Sequence, residues 1–274
     1  MEIKKAYSED FKKISQLFTL FNDREPIDSW RNLFSKQWNS DYNYHGYYIE
    51  ENCEAVGFLG LIFADRVIDS KPYTFCNMTS WVVIPEYRQH SLSLMFQILA
   101  EDKLVITNLT PNPNLFEILK HTGFQIIDNF LVFTFPLKFI GSSKLQFISD
   151  IEQISSMLDK YSLCLIREHE HSKAKPFLIE VKREQCLIFA SPIRKKRIPV
   201  SQVLYVNNPK MFKKHIHLIT RNICRSQSTL AMLTAEHFLE GEKPLLSVKF
   251  NRQTFFMGPN ELQNKLDFLY SELA

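Results

Sequence analysis

Residues 79–99 read TSWVVIPEYRQHSLSLMFQIL. An apolar run ends at Ile84-Pro85, a polar segment follows from Arg88 to Ser93, and apolar residues then recur at helical spacing. This order predicts a strand, a turn and a helix. The first N–H groups of a helix have no acceptor within the helix, and the helix dipole makes that end positive. The segment therefore predicts a site for an anion such as a phosphate group.

The composition is typical of a folded, globular protein. The chain has 274 residues, 45% of them apolar and 13% aromatic, which is enough for one or two packed cores. The net charge of +3 gives no general attraction to nucleic acid or membranes. The five cysteines lack C-x-x-C spacing, and an odd number argues against a disulfide framework. Because no signal-peptide core and no apolar run of membrane-spanning length occurs, we expect a cytoplasmic protein.

The first half of the chain alternates between helical and strand patterns. Helices are predicted after Ser8 as N-cap and from Pro26. The patterns then predict a hairpin at 47–49 and 56–62, a strand at 75–84, a helix at 86–100, a strand at 104–109, a helix from Pro113 to Gly123, and a hairpin at 124–128 and 130–135. The strand–helix–strand part implies a right-handed crossover between neighbouring strands.

The second half repeats this order in outline after a break at 136–146. The patterns predict a helix near Asp150, a hairpin at 177–181 and 186–190, a strand at 200–206, a helix at 209–224, strands at 229–234, 245–250 and 254–257, and a closing helix from Pro259. A proline follows a strand at Pro85 and again at Pro209, which indicates a degenerate internal duplication. The second turn, residues 210–215, reads KMFKKH and has no small residues, so the first half is predicted to hold the ligand.

Residues 79–99 resemble the acyl-CoA site of the GNAT superfamily of N-acyltransferases. In that family Val-x-Pro-x-x-Arg is followed by two small residues and a helix; here Val83, Pro85 and Arg88 match, and Ser91 and Ser93 stand at the small positions. The resemblance implies an α/β (α+β) fold with two GNAT-like domains, each a mixed, mostly antiparallel twisted sheet flanked by helices. It places the acyl-CoA-binding domain at 1–138, a degenerate second domain at 147–274 and a linker at 139–146.

The resemblance also implies a cofactor site without metal. Acetyl-CoA or another acyl-CoA would be the co-substrate. Its pyrophosphate would contact the turn, at Arg88, Gln89, His90, Ser91, Leu92, Ser93 and Leu94. Backbone N–H groups of Trp81, Val82 and Val83 would meet the thioester carbonyl. Asn108 and Asn114, with Thr110 and Asn112, would bind the pantetheine amides or the acceptor, unless they only form turns and caps. The alternative for the whole segment is a serine-capped amphipathic helix that buries Leu94, Phe96 and Ile98.

General acid and base residues are less well specified. Many family members carry a tyrosine four residues before the Gly-Phe pair, which is Gly123-Phe124 here, but Leu119 holds that position. A thiol pKa of about 8.5 makes thiolate a tolerable leaving group without an acid. Glu50 and His121 are candidate bases, with Glu51, Cys76, Thr79 and Ser80 as further candidates; a structural role is the alternative for each. For His121 that role is an interaction with the carbonyl end of its helix.

These features predict an enzyme that transfers an acyl group, expected to be acetyl, from acyl-CoA to an amine. By analogy the acceptor is an amino sugar, as in bacterial surface-polysaccharide synthesis. The second domain would shape the acceptor cleft or a subunit interface, and a homodimer is compatible with this arrangement. Membrane insertion and nucleic-acid binding are not expected. Two alternatives remain: a non-catalytic acyl-CoA-binding or scaffolding module, and a relative of the aminoacyltransferases that use charged transfer RNA. The basic segment Arg194–Arg197 is predicted to be a solvated loop or a contact for a nucleotide phosphate.

Overall fold

The computed structural model of the protein describes residues 1–21, 27–35, 38–137, 145–195 and 197–272. The chain forms two compact units. The first contains Met1–Gln125 and Thr254–Lys265, and the second contains Ile126–Gln253 and Leu266–Glu272. The domain limits expected from the sequence, 1–138 and 147–274, stay a prediction, and most of the predicted linker lies outside the described residues.

The first unit is built on a mostly antiparallel sheet. Its strands are β1 (Glu2–Lys5), β2 (Gly46–Glu51), β3 (Glu54–Ile68), β4 (Lys71–Val83) and β5 (Leu104–Asn108). Its α-helices are α1 (Phe11–Ile14), α2 (Phe18–Phe21), α3 (Ser91–Leu99) and α4 (Phe116–His121), with 3-10 helices at Ser8–Asp10, Ser15–Leu17, Ile27–Phe34, Pro85–His90, Pro113–Leu115 and Asn260–Lys265. Strands β1 to β4 pair antiparallel in chain order, and β4 pairs with β5 in parallel. The parallel pair requires a crossover, which α3 supplies.

Strand β3 forms the centre of this sheet. Its residues from Ala55 to Ala64 are all buried, so both faces of the strand are covered. Phe58 contacts the rings of Phe18 and Phe34, which brings the N-terminal helices onto one face. Asn52 and Cys53 join β2 to β3 with positive φ angles, as a tight two-residue hairpin turn requires. The predicted hairpin is therefore confirmed.

The second unit repeats the combination of antiparallel strands with one parallel pair. Its strands are β6 (Gln125–Thr134), β7 (Gln146–Ile148), β8 (Lys175–Val181), β9 (Glu184–Lys195), β10 (Ile198–Val206), β11 (Ala231–Ala235) and β12 (Ser247–Met257). Its α-helices are α5 (Ile151–Met157), α6 (Lys160–Glu168), α7 (Pro209–Lys214) and α8 (Ile216–Gln227), with a 3-10 helix at His237–Leu239. Strands β10 and β11 are parallel, and the other recorded pairs of this unit are antiparallel. At its ends, Gln125 of β6 and Thr254–Met257 of β12 belong to the first unit.

Two predictions at the N-terminus need correction or limitation. Ser8 is not the N-cap of the first helical segment, because its hydroxyl donates to the carbonyl of Phe34 at 2.7 Å. Tyr7 takes the N-cap position instead, and its N–H donates to the Asp10 carboxylate at 2.9 Å. The helix predicted from Pro26 begins outside the described residues, and its described part, Ile27–Phe34, is a 3-10 helix.

Residues 124–135 do not form the predicted hairpin, and β6 runs through the expected turn. Asp128 stands at the end of the first predicted strand, yet it is buried, with 1% of its surface exposed. Its carboxylate accepts hydrogen bonds from the backbone N–H of His237 at 2.8 Å and from His237 Nδ1 at 2.9 Å. A buried carboxylate is tolerated when hydrogen bonds satisfy it, so the strand continues through this position.

Residues 247–257 likewise form one strand where two were predicted, and Leu245 and Leu246 precede it in a turn. The polar interruption includes Gln253, whose side-chain amide donates to the side-chain carbonyl of Asn129 on β6 at 2.9 Å. The predicted helix at 209–224 is divided at His215 into α7 and α8. The mixed, mostly antiparallel sheets flanked by helices confirm the predicted fold class. Along the described ranges, no helix is long and apolar enough to cross a bilayer.

Candidate functional site

Strands β4 and β5 separate part-way along their length. Their parallel ladder runs from Thr74 with Leu104 to Asn77 with Thr107, where the Thr107 hydroxyl donates to the side-chain carbonyl of Asn77 at 3.1 Å. Beyond Asn77, β4 continues along β3 to Val83, whereas β5 ends and Asn108 pairs with Phe255 of β12. The edge of β4 that faced β5 is therefore open from Met78 onward.

A β-bulge lies at the start of this open edge. Val82 pairs with Phe58 and Thr79 pairs with Gly60, so Ser80 and Trp81 together oppose a single residue of β3. Ser80 is buried and has a φ of 47°, in the left-handed region that disfavours residues with a Cβ. Strained backbone that is held in place by its surroundings is concentrated at functional sites.

The ladder between β3 and β4 fixes which N–H groups face the open edge. The N–H of Ile84 donates to the carbonyl of Val56 at 3.0 Å. Because N–H directions alternate along a regular antiparallel strand, the N–H of Val82 also points to β3, and that of Val83 points the other way. Trp81 belongs to the bulge, where this alternation is interrupted. Of the three backbone groups predicted to meet a thioester, that of Val83 is thus directed to the open edge.

A cleft of about 450 Å³ opens beside the bulge. Its volume lies within the about 300–1,000 Å³ of small-molecule sites. The lining residues are Trp30, Leu59, Met78, Thr79, Ser80, Trp81, Asn108, Thr110, Pro111, Asn112 and Leu115. Within the part of the chain that the structure describes, this lining contains amides, hydroxyls and indoles but no acidic, basic or thiol side chain. The indole Nε1 of Trp81 is buried and has no hydrogen-bond partner among the described residues, which leaves a donor for a ligand.

Solved GCN5-related N-acetyltransferases share this architecture. The enzyme from Anabaena variabilis matches with a TM-score of 0.58 at 11% identity, over 96% of this chain and 74% of its own length. The enzyme from Kribbella flavida matches with a TM-score of 0.57 at 11% identity, over 93% of this chain and 71% of its own. The chain has the GNAT fold. No protein-family model and no curated protein sequence matches the chain, so the likeness to these solved structures is one of fold.

The predicted pyrophosphate turn of this GNAT fold is helical. Pro85–His90 is a 3-10 helix that continues directly into α3. The N–H of Tyr87 donates to Ile84 at 3.0 Å, and the N–H of Ser91 donates to the carbonyl of Arg88. A 3-10 helix uses N–H groups in bonds to the third residue before, so those of Gln89, His90 and Ser91 already have acceptors. Leu92 and Ser93 follow in the first turn of α3.

The exposure of the side chains in this segment agrees only in part with the alternative interpretation, a serine-capped amphipathic helix. Arg88 and Gln89 are exposed, and His90 to Ser93 are half-buried. Leu94 and Ile98 are fully buried, as the alternative interpretation predicted, but its third core residue, Phe96, is 51% exposed and Met95 is buried instead. The serine cap was also wrong, because His90 is the N-cap of α3 and no side chain caps the helix.

The two candidate bases do not line the cleft. Glu50 forms ion pairs with Lys13 and Lys4, and hydrogen bonds from these two ammonium groups lower the pKa of Glu50 to about 2. His121 is exposed at the end of α4, with Nδ1 2.7 Å from the carbonyl of Glu117. Among the further candidates, Glu51 pairs with the N-terminal amine and Cys76 is buried with a raised pKa. Only the hydroxyls of Thr79 and Ser80, 3.4 Å apart, belong to the cleft.

Some of the predicted acceptor residues after β5 line the cleft, and one lies outside it. Asn108 lines the cleft and is 5% exposed, and Thr110 and Asn112 line it as well. Asn114 is exposed outside it, and its N–H donates to the side chain of Asn112 at 3.1 Å. Trp30 also lines the cleft, although a tryptophan in a helical pattern predicts only a core position. The bulge is not predictable from the sequence, because serine, unlike glycine, does not indicate a left-handed residue.

The second unit has the same strand separation, but its own chain fills it. Strands β10 and β11 are paired from Val200 with Ala231 to Gln202 with Leu233. Beyond that point the carbonyl of Leu204 accepts a hydrogen bond from the N–H of Phe268 at 2.8 Å, and Phe268 is 4% exposed. The expectation that the first half holds the ligand stays a prediction. No group of three or more His, Cys, Asp or Glu residues suited to a metal occurs in the described ranges.

Proposed function

We propose that the first unit binds an acyl-CoA and transfers the acyl group, expected to be acetyl, to an amine in the cleft beside β4. The observation that carries this proposal is the separation of β4 from β5 next to the bulge at Ser80. The N–H groups of Trp81 and Val83 would donate to the thioester oxygen as it gains negative charge during attack. Fixed donors aimed at a developing oxyanion are a principal source of rate enhancement.

The cleft suits a reaction that depends on positioning. The amine attacks the carbonyl carbon, the C–S bond breaks, and the thiolate leaves with a conjugate-acid pKa of about 8.5. The described lining contains no titratable side chain that could take the proton of the attacking amine. We therefore infer that the amine loses its proton to water, and that the rate rises with pH until the amine is neutral.

For the cofactor phosphates, the proposed contacts remain those of the turn. Arg88 supplies an exposed cation, and Ser91 and Ser93 supply hydroxyls at the start of α3. The N–H groups of Leu92 and Ser93 would carry the backbone contribution. Gln89, His90 and Leu94 would contribute less, because the backbone of the first two is bonded within the 3-10 helix and the Leu94 side chain is buried.

For the acceptor, the lining supports a hydroxyl-bearing molecule with a single amine, such as an amino sugar. Two indoles, Trp30 and Trp81, offer flat apolar surfaces, and Asn108, Asn112 and Thr110 offer hydrogen bonds. Aromatic faces combined with a few polar groups are typical of small-molecule sites. A polyamine would need carboxylates, which the described lining does not provide.

Calorimetric titration with coenzyme A and acetyl-CoA tests the cofactor site. We expect binding to the wild-type protein and at least about tenfold weaker binding to Arg88→Ala and Ser91→Glu, equal to about 1.4 kcal/mol. Arg225→Ala and Ser156→Glu, at helical positions of the second unit, are the matched controls. Equal affinities for all five proteins would overturn the assignment. Release of coenzyme A in the presence of glucosamine then tests the transfer.

A non-catalytic acyl-CoA-binding module is the second candidate. It is favoured by Leu119, which is fully buried where many family members have tyrosine, and by the lack of a titratable group in the described lining. Binding of coenzyme A without its release from acetyl-CoA, over a panel of amines and up to pH 9, would support this candidate. The homodimer and the transfer-RNA alternative stay predictions.

A further inference from the structure

A second pocket lies wholly within the second unit. It has a volume of about 250 Å³ and is formed by strands β6, β9, β10, β11 and β12. Its lining residues are Leu131, Phe133, Lys195, Ile198, Leu233, Phe250 and Arg252. We call it the Lys195–Arg252 pocket.

The wall of the pocket is apolar from floor to rim. Leu131 and Leu233 are 4% and 1% exposed and form its floor. Ile198 and Phe250 stand at the rim and are 50% and 47% exposed. Phe133 contacts Phe250 edge to face, with ring centroids 6.5 Å apart. Clustered apolar side chains that remain exposed mark binding surfaces rather than ordinary protein surface.

Two cations accompany this apolar wall. Lys195 and Arg252 line the same pocket and therefore lie near one another. Burial lowers the pKa of both, and the charge of Arg252 lowers the pKa of Lys195 further. In the described part of the chain neither forms an ion pair with a carboxylate. Two like charges held in a partly desolvated place are unfavourable until an anion joins them.

We propose that the Lys195–Arg252 pocket binds an amphipathic anion, namely a single-chain monocarboxylate of short to medium length. The carboxylate would lie between the two cations, where a guanidinium can form two parallel hydrogen bonds. The chain would cover Leu131 and Leu233 and contact Phe250. The volume is below the about 300–1,000 Å³ of typical small-molecule sites, so one short chain fits and a lipid with two long chains does not. This inference is independent of the proposed transfer reaction.

A chain-length series tests the apolar part. The full-length protein is titrated calorimetrically with hexanoate, heptanoate and octanoate. We expect the affinity to rise about fourfold per added methylene, because burying one CH₂ gains about 0.8 kcal/mol. Octanol and octyltrimethylammonium should bind at least tenfold more weakly than octanoate, because they lack the anionic head. Equal affinity for all three octyl compounds, or no binding of any, would overturn the proposal.

Substitutions test the cations. Arg252→Gln and Lys195→Gln should each weaken octanoate binding at least tenfold, and Arg252→Lys should recover part of the loss. Arg194→Gln is the control, because Arg194 is the exposed neighbour of Lys195 on β9. Circular dichroism shows whether each variant is folded. If Arg252→Gln does not fold, the conservative variant Arg252→Lys still tests the role of the guanidinium.

Other occupants would give different results. Sedimentation could show a dimer that dissociates in Phe250→Ser and is unchanged by octanoate. This result would assign the surface to a second copy of the chain. Alternatively, the protein could bind anionic phosphatidylglycerol vesicles, with no displacement by octanoate. That result would assign the surface to membrane binding. Either result would overturn the proposal, as would an equal loss of octanoate affinity in Arg194→Gln.

Discussion

At the scale of single residues, Ser80 links backbone strain to the candidate site. A φ of 47° is accessible to glycine but costs residues with a Cβ about 1–2 kcal/mol, and a β-branched side chain fits it worst. We expect Ser80→Val to lower the free energy of unfolding by more than about 2 kcal/mol and to weaken coenzyme A binding, because the bulge would rearrange. Ser80→Gly should stay within about 1 kcal/mol of the wild type. Urea denaturation measures both, and Thr79→Val, on the same strand, is the control; equal stability of the two valine variants would contradict the argument.

Leu119 stands where a catalytic tyrosine would be expected, and its burial decides what a substitution would do. The side chain is fully buried on α4. Leu119→Tyr should destabilise the protein by about 1–3 kcal/mol through overpacking, without increasing the rate of any acetyl transfer. Thermal denaturation and coenzyme A release measure the two effects, with Leu119→Met as a volume-matched control. A faster release of coenzyme A would instead place this position next to the leaving thiol.

At the scale of elements, an ion-pair cluster joins three of them. Glu50 of β2 contacts Lys13 of α1 and Lys4 of β1, and hydrogen bonds from Lys13 and then Lys4 lower its pKa to about 2. Since the pKa in an unfolded chain is about 4.3, the ionised carboxylate stabilises the fold above that pH. This stabilisation is lost as the pH falls through about 2.

Glu50→Gln should therefore lower stability at neutral pH and flatten the loss of stability between about pH 5 and pH 2. Urea denaturation at pH 7, 5 and 3 measures this, with Glu54→Gln, an exposed position of the neighbouring strand, as the control. Parallel stability curves for Glu50→Gln and the wild type would show that the cluster does not couple to folding.

Elements were predictable where local chemistry decides them. The turn at Asn52 and Cys53, the N-cap at Asp150 and the left-handed Gly123 after α4 follow from short-range preferences. The continuous strand β6 was not predictable in this way, because the buried carboxylate of Asp128 accepts a hydrogen bond from His237, which lies far along the chain. The helix predicted at 86–100 is confirmed by the helical run from Pro85 to Leu99, but its 3-10 geometry up to His90 does not follow from the sequence, since a polar segment before a helix is equally compatible with an open loop.

At the scale of the whole molecule, residues near the C-terminus complete both units through contacts that no local sequence pattern predicts. Phe268 fills the strand separation of the second unit by bonding to Leu204. In the first unit, Phe255 and Phe256 of β12 are fully buried, and Phe255 pairs with Asn108 at the end of β5. The predicted site residues Trp81 to Val83 lie on β4, and the neighbouring strand β5 pairs on its other edge with β12, which the sequence assigns to the other half.

This arrangement predicts that residues 1–138 do not fold alone, although the sequence suggests that they form a domain. The fragment lacks Thr254–Lys265, and with it the partner of β5 and two buried phenylalanines worth about 1.5–3 kcal/mol each. Such a loss is a large part of the about 5–15 kcal/mol that stabilises a domain. We expect collapsed amide dispersion in NMR spectra of the fragment, and recovery when a long Gly/Ser linker joins residues 1–125 to residues 254–265. The same linker carrying a scrambled 254–265 is the control. A well-dispersed spectrum of 1–138 would mean that β5 is stable as an edge strand and that the predicted domain limit is a true folding boundary.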